Sequence, residues 1–194
     1  MKNKNLEILN NFLLIAPFDG FSDFSIKEAA KQAGIDNNEL KIIFPSGIKN
    51  LVDFFYKSQE SEIKEYFDSN PLTGLRIPEK IEKIILFRLT SWNSKKEAIK
   101  RLIAFQSLLW NVPQAMKNLY NTIDSIWNIA EDSSSDFSFY TKRVILSGVY
   151  TSTVLFWLND NSPDMVETKL FLQRRLQNVA EFGKFKKKIT ACLK

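Results

Sequence analysis

The chain has 194 residues, with 27 Lys and Arg against 22 Asp and Glu, a net charge of +5, one Cys and no His. This composition excludes a Ser-His-Asp triad, a His-ligated zinc, an imidazole general base and any intrachain disulfide. The 6 glycines fall into neither GxGxxG nor GxxxxGK[ST] spacing, so no phosphate-cradling loop is present, and the chain reads as a non-enzyme with no cofactor.

Apolar residues at helical spacing predict a first helix over about Asn5–Ile15, with Leu6, Leu9 and Leu13 on one face. A second begins at Ser25, where SIKE has the Ser-x-x-Glu capping form; Ile26, Ala29, Ala30 and Ala33 share a face and Gly34 stops it. DNNE at Asp36 opens a third, ended by Pro45, and Ser46 caps a long fourth with Ile48, Leu51, Val52 and Phe55 inward. Pro78 starts a fifth, with Ile81, Ile84, Ile85 and Leu89 buried, and SKKE at Ser94 starts a sixth. Pro113 starts a seventh, carrying Met116, Leu119, Tyr120, Ile123 and Trp127. After a polar EDSSSD loop come an eighth over about Phe139–Asn159 and a ninth from Pro163. The expectation is an all-α bundle of about nine helices, divided into an N-terminal segment (1–45), a bundle (46–181) and a basic tail (182–194).

The three short N-terminal helices have helix-turn-helix form, and SIKEAAKQAGIDNNELKIIF resembles the start of a TetR-type repressor. One reading is major-groove recognition; the other is a helical unit without a DNA function. The first 50 residues hold six Lys and six acidic side chains, and the would-be reading helix begins with Asp36 and carries Glu39. Phosphate contacts dominate DNA affinity, so this surface lacks the expected basic footprint and no nucleic-acid partner is expected.

The eighth helix is apolar around much of its circumference, through Val144, Ile145, Leu146, Val149, Val154, Leu155, Phe156, Trp157 and Leu158. Such a helix is normally central in a bundle. Alternatively Val149, Thr153 and Phe156 line a cavity for an apolar ligand together with Phe87, Phe105, Leu108, Leu109 and Trp110. The cavity reading predicts an elongated apolar void along the sixth, seventh and eighth helices; periodicity does not separate it from a solid core.

The whole charge excess lies after Pro163, where eight basic residues meet three acidic ones. In EFGKFKKKITACLK, helical spacing aligns Phe182, Phe185, Ile189 and Leu193, with Lys184, Lys186, Lys187 and Lys188 on the other faces. That pattern suits an anionic membrane surface, a helix docked on the bundle, or a solvated tail. Cys192 is one place too late for a prenylation site, no run reaches the roughly 18 apolar residues of a spanning helix, and the polar N-terminus lacks a signal-peptide core.

Three segments together resemble one family. They are LLIAPFDGFSDFSIKEAAKQAGI with LKIIFPSGIKNLVDFF, then DFSFYTKRVILSGVYTSTVLFWLNDNSPD, and then MVETKLFLQRRLQNV. In that order they are similar to the ubiquinone-biosynthesis accessory family usually called Coq-nine. The resemblance implies a TetR-like fold, typically dimeric, that binds isoprenoid quinone intermediates or other lipids instead of DNA. It also implies a terminal helix on the membrane and a partner, the di-iron demethoxyubiquinone hydroxylase, to which the lipid is presented. Carried over, the hydroxylase contact comprises Asp136, Phe139, Tyr140, Lys142 and Arg143, with Phe139 where a Trp is common. A start close to the first helix, with no presequence ahead of it, predicts a bacterial cytoplasmic protein peripheral at the inner membrane. The function expected is a membrane-associated lipid-binding accessory protein; the alternatives are a TetR-type ligand-responsive regulator and a structural protein without ligand.

Overall fold

All regular structure among the described residues is helical. The computed structural model describes residues 2–131 and 137–192, with the backbone alone at 2, 3, 137, 138 and 180–192. Among these residues the α-helices are α1 (Lys2–Asp19), α2 (Asp23–Gln32), α3 (Asn37–Ile43), α4 (Ile48–Ser69), α5 (Ile77–Trp92), α6 (Lys96–Gln106), α7 (Val112–Ile129), α8 (Phe137–Trp157) and α9 (Val166–Cys192). Single 3-10 turns lie at Asn93–Lys95, Leu109–Asn111 and Pro163–Met165. The expected all-α architecture is therefore observed, with differences at the helix ends that have local causes.

Helix α2 starts before Ser25 because Ser22 is its cap: its backbone is extended and its Oγ accepts the Ser25 N–H at 3.2 Å. Ser25 is instead buried, its hydroxyl donating to the Gly20 carbonyl at 2.8 Å. Asp36 caps α3 as expected, its carboxylate accepting the N–H groups of Asn38 at 2.7 Å and Glu39 at 2.9 Å. Ser46 does not cap α4, since its own N–H donates to Asn50 Oδ1 and Gly47 carries the turn at φ +57°. The positive φ at Gly47 favours glycine there; a Cβ would lie 2.7 Å from Asp23 Oδ1, the end of a side chain that can turn aside. Ser94 falls within a 3-10 turn, and α6 begins two residues later. The basic tail is continuous with the ninth helix, for α9 runs without a break through Cys192.

The chain divides into two compact units, Met1–Glu65 with Ser91–Thr122, and Tyr66–Thr90 with Ile123–Lys194. The division cuts through α4, α5 and α7, and does not follow the expected boundaries at 45/46 and 181/182. In the first unit α1 packs against α2 and α6 over a core that includes Ile8, Phe12, Ile26, Leu51, Ile99 and Leu102. The indole of Trp92 donates to Gln59 Oε1 at 2.7 Å, which satisfies a polar atom that burial would otherwise penalise. In the second, α8 packs against α9, and Ile84, Ile85, Leu89, Ile126, Trp157 and Leu172 are buried.

The turn between α8 and α9 is tied by Asp160, whose carboxylate accepts the Ser162 N–H, the Thr168 N–H (both 2.8 Å) and the Thr168 hydroxyl (2.5 Å). Burial pushes this carboxyl up, but the hydrogen bonds from Ser162 and Thr168 outweigh it and hold it down at about 2, against an ordinary 3.8. A depressed carboxylate stabilises the fold above its unfolded value, and the contribution is lost as pH falls from 3.8 through about 2. For this partly exposed side chain the contribution is at most about 2 kcal/mol. The stability gap between the wild-type chain and Asp160→Asn should accordingly close between pH 4 and pH 2 in denaturant titrations. A gap that stays constant across that window would assign the carboxylate no such role.

Candidate functional site

Four helices of the second unit enclose an apolar cleft. The first turns of α5 contribute Ile77, Pro78 and Ile81, α7 contributes Trp127, α8 contributes Lys142, Ile145, Leu146 and Val149, and α9 contributes Leu176 and Val179. The α8 positions follow i, i+3, i+4, i+7, so one face of that helix supplies a wall. The volume is about 150 Å³. An apolar cavity of about that volume accommodates a molecule the size of benzene, about six carbons. That is room for one branched five-carbon unit, not for a whole long-chain ligand. Lys142 is the charged member of the lining, its ammonium 5.6 Å from the Trp127 ring centroid, within cation–π range. An apolar slot with a cation at its rim suits an amphiphile with an apolar chain and a polar or anionic head.

This cleft is not the cavity expected along the sixth, seventh and eighth helices. Of the lipid-site candidates, all of them described, Val149 lines it. Thr153 is fully buried, its hydroxyl donating to the Val149 carbonyl at 2.7 Å, which uses up its polarity inside α8. Phe156 is stacked on Phe171 at 4.4 Å, and Phe87 on Tyr66 at 4.1 Å. Phe105, Leu108, Leu109 and Trp110 belong to the first unit, with Phe105 against Phe21 at 5.8 Å and Leu108, Leu109 and Trp110 exposed. Sequence reasoning favoured large aromatics, and these had found aromatic partners or solvent. The lining it missed is mostly aliphatic: Ile77, Ile81, Ile145, Leu146, Leu176 and Val179.

The first turns of α8 separate the expected partner-binding residues. Asp136 lies outside the described residues. Tyr140 is 70% exposed, with Phe139 half-buried beside it at 5.2 Å between ring centroids. Lys142 turns to the cleft. Arg143 was expected on the exposed side with Tyr140, but it is buried. Its Nε and Nη2 donate to Asp124 Oδ1 at 3.0 and 2.6 Å, and its guanidinium sits 3.3 Å from the Phe139 ring centroid. The α7 carboxylate draws it inward, so Arg143 fastens α8 to α7 and leaves Tyr140 as the exposed member of the set.

The expected membrane residues Phe182, Lys184, Phe185, Lys186, Lys187, Lys188 and Ile189 fall where the helical backbone alone is described, and Leu193 lies outside the described residues. No helix among the described residues is long and apolar enough to cross a membrane. Among the same residues no three His, Cys, Asp or Glu side chains are placed to hold a metal ion.

Comparison with known proteins gives the fold first. A crystal structure of the TetR transcriptional regulator from Nitrosomonas europaea superposes with a TM-score of 0.73 at 17% identity, covering 91% of this chain and 97% of that one. The molecule is thus an all-α protein of the TetR-like fold. The family model for COQ9 matches residues 112–183, a span that takes in the α7, α8 and α9 walls of the cleft. The ubiquinone biosynthesis protein coq9, mitochondrial, of Schizosaccharomyces pombe is 30% identical over 181 residues, which is 92% of this chain and 70% of that protein. The mitochondrial COQ9 proteins of Xenopus tropicalis and Homo sapiens are 29% and 25% identical, with 95% and 94% of this chain aligned to 60% and 59% of theirs. The chain belongs to the COQ9 family. It spans about 60% of the length of the frog and human relatives.

Proposed function

We propose that this protein is an accessory protein of ubiquinone biosynthesis that shelters part of an isoprenoid quinone intermediate and presents it to the demethoxyubiquinone hydroxylase. The observation that carries this reading is the apolar cleft with Lys142 at its rim, whose α7, α8 and α9 walls lie inside the span that matches the family. An isoprenoid chain is insoluble, and removing each CH₂ from water is worth about 0.8 kcal/mol. A slot for one unit therefore lowers the cost of lifting the chain from bilayer to enzyme without any catalytic group. The lysines at 184, 186, 187 and 188 give membrane contact at about 1 kcal/mol each near an anionic surface, screened by salt. A regulator of TetR type finds little support in α3, whose cap and first turn carry the Asp36 and Glu39 carboxylates where phosphate contacts would need positive charge.

Protein purified from its native host, extracted and examined by mass spectrometry, should carry polyprenylated quinone intermediates near one per chain. A preparation free of isoprenoids, and unable to take them up from vesicles, would sink the proposal. Docking through the exposed face of α8 is tested separately. Tyr140→Ala should weaken capture of the hydroxylase about 5- to 30-fold, the effect of losing a central aromatic anchor, while the melting temperature holds. Unchanged capture would place the docking surface elsewhere on the chain.

A further inference from the structure

The four tryptophans divide into two kinds: Trp92, Trp127 and Trp157 are buried, whereas Trp110 is 68% exposed beside Leu109 at 85%. This pair occupies the 3-10 turn Leu109–Asn111 between α6 and α7. The turn is pinned from within. The buried Asn111 donates its Nδ2 to the Phe105 carbonyl at 2.9 Å and its backbone N–H to the Leu108 carbonyl at 2.8 Å. With Asn111 held inward, Leu109 and Trp110 are held outward. Exposed apolar side chains continue along α7 as Val112, Met116 and Tyr120, at i, i+4 and i+8 on one face. The surrounding chain is basic: from Lys95 to Lys117 it carries five Lys and Arg and one acidic residue, Glu97, and Lys100, Arg101 and Lys117 are exposed.

We propose that the Leu109–Trp110 turn and the α7 stripe behind it form a membrane wedge that enters the interfacial zone of an anionic bilayer. The proposal rests on the reading of the protein as a lipid carrier working at a membrane, and adds an anchor separate from the C-terminal lysines. Trp and Leu at a projecting turn match the chemistry of the lipid interface, where the indole ring sits at headgroup depth. The positive flank complements anionic headgroups. The same charge opposes a second copy on this face, because a two-fold contact would set like charges against each other.

The test uses the full chain with phosphatidylcholine vesicles, with and without phosphatidylglycerol, some carrying brominated acyl chains. With the anionic vesicles Trp110 emission should shift to the blue and be quenched by bromine. Trp110→Phe should remove that component and leave whatever Trp127 contributes from the cleft. Leu109→Ser with Trp110→Ser should weaken vesicle affinity about tenfold at an unchanged melting temperature, since both side chains are exposed. The wedge is overturned if vesicle-bound protein shows no quenching of Trp110, or if the double variant binds as the wild type does. Binding that survives in the double variant but is lost when Lys184, Lys186, Lys187 and Lys188 become Gln overturns the wedge and leaves the membrane reading standing. A wild-type chain that binds neither vesicle overturns both. A double variant that loses self-association at unchanged vesicle affinity gives the face to a second copy, which also overturns the wedge.

Discussion

Ile145→Trp is expected to strip the protein of co-purifying isoprenoid while changing its melting temperature by only a few degrees. Ile145 lies on the cleft-facing side of α8 but is itself partly exposed, so a larger ring can swing across the slot without overfilling the core. Excluding one five-carbon unit forfeits about 0.8 kcal/mol per carbon, or about 4 kcal/mol, close to a thousandfold in affinity. Quantitative lipid extraction of the variant and the wild type, expressed side by side, reads this directly. Retention of the full lipid load by a folded variant would show that the chain is held somewhere other than between α5, α7, α8 and α9.

The second large effect concerns the joint between α7 and α8. Asp124→Ala leaves the Arg143 guanidinium buried without its carboxylate, and orphaning a buried charge in this way costs about 3–5 kcal/mol. Because Asp124 is about one-third exposed, the lower end, about 3 kcal/mol, is expected. In a chain of this length that lowers the melting temperature by roughly 6–12 °C. Asp124→Leu combined with Arg143→Leu should recover most of the loss, because removing both partners removes the unpaired charge. If each single substitution costs less than about 0.5 kcal/mol, the pair behaves as a solvated surface contact and not as a joint.

Much of the fold was legible because helix punctuation is local chemistry. The Asp36 cap, the Gly34 stop and the apolar stripes of α4 and α5 all act within a few residues of themselves. The misplaced start of α2 was a competition between two serines, three residues apart, that only the buried hydroxyl of Ser25 decides. The candidate site was far less legible. A helical period of 3.6 serves a solid core and a cleft wall equally, so α8 could be singled out but not its cleft-facing side. Phe87, Phe105 and Phe156 each drew attention by size, yet their partners Tyr66, Phe21 and Phe171 are unrelated in spacing. Arg143 looked like a surface anchor because Asp124 is 19 residues away and on another helix.

The 27 residues of α9 form a continuous rod that, at 1.5 Å per residue, is about 40 Å long. Leu176 and Val179 on this rod are part of the cleft wall, and Lys184 to Lys188 follow within the next few turns. About 12 Å of helix separates Val179 from Lys187. Were an anionic membrane to hold the lysine end as proposed, its orientation would pass to the cleft wall along unbroken helix, with no loop between them.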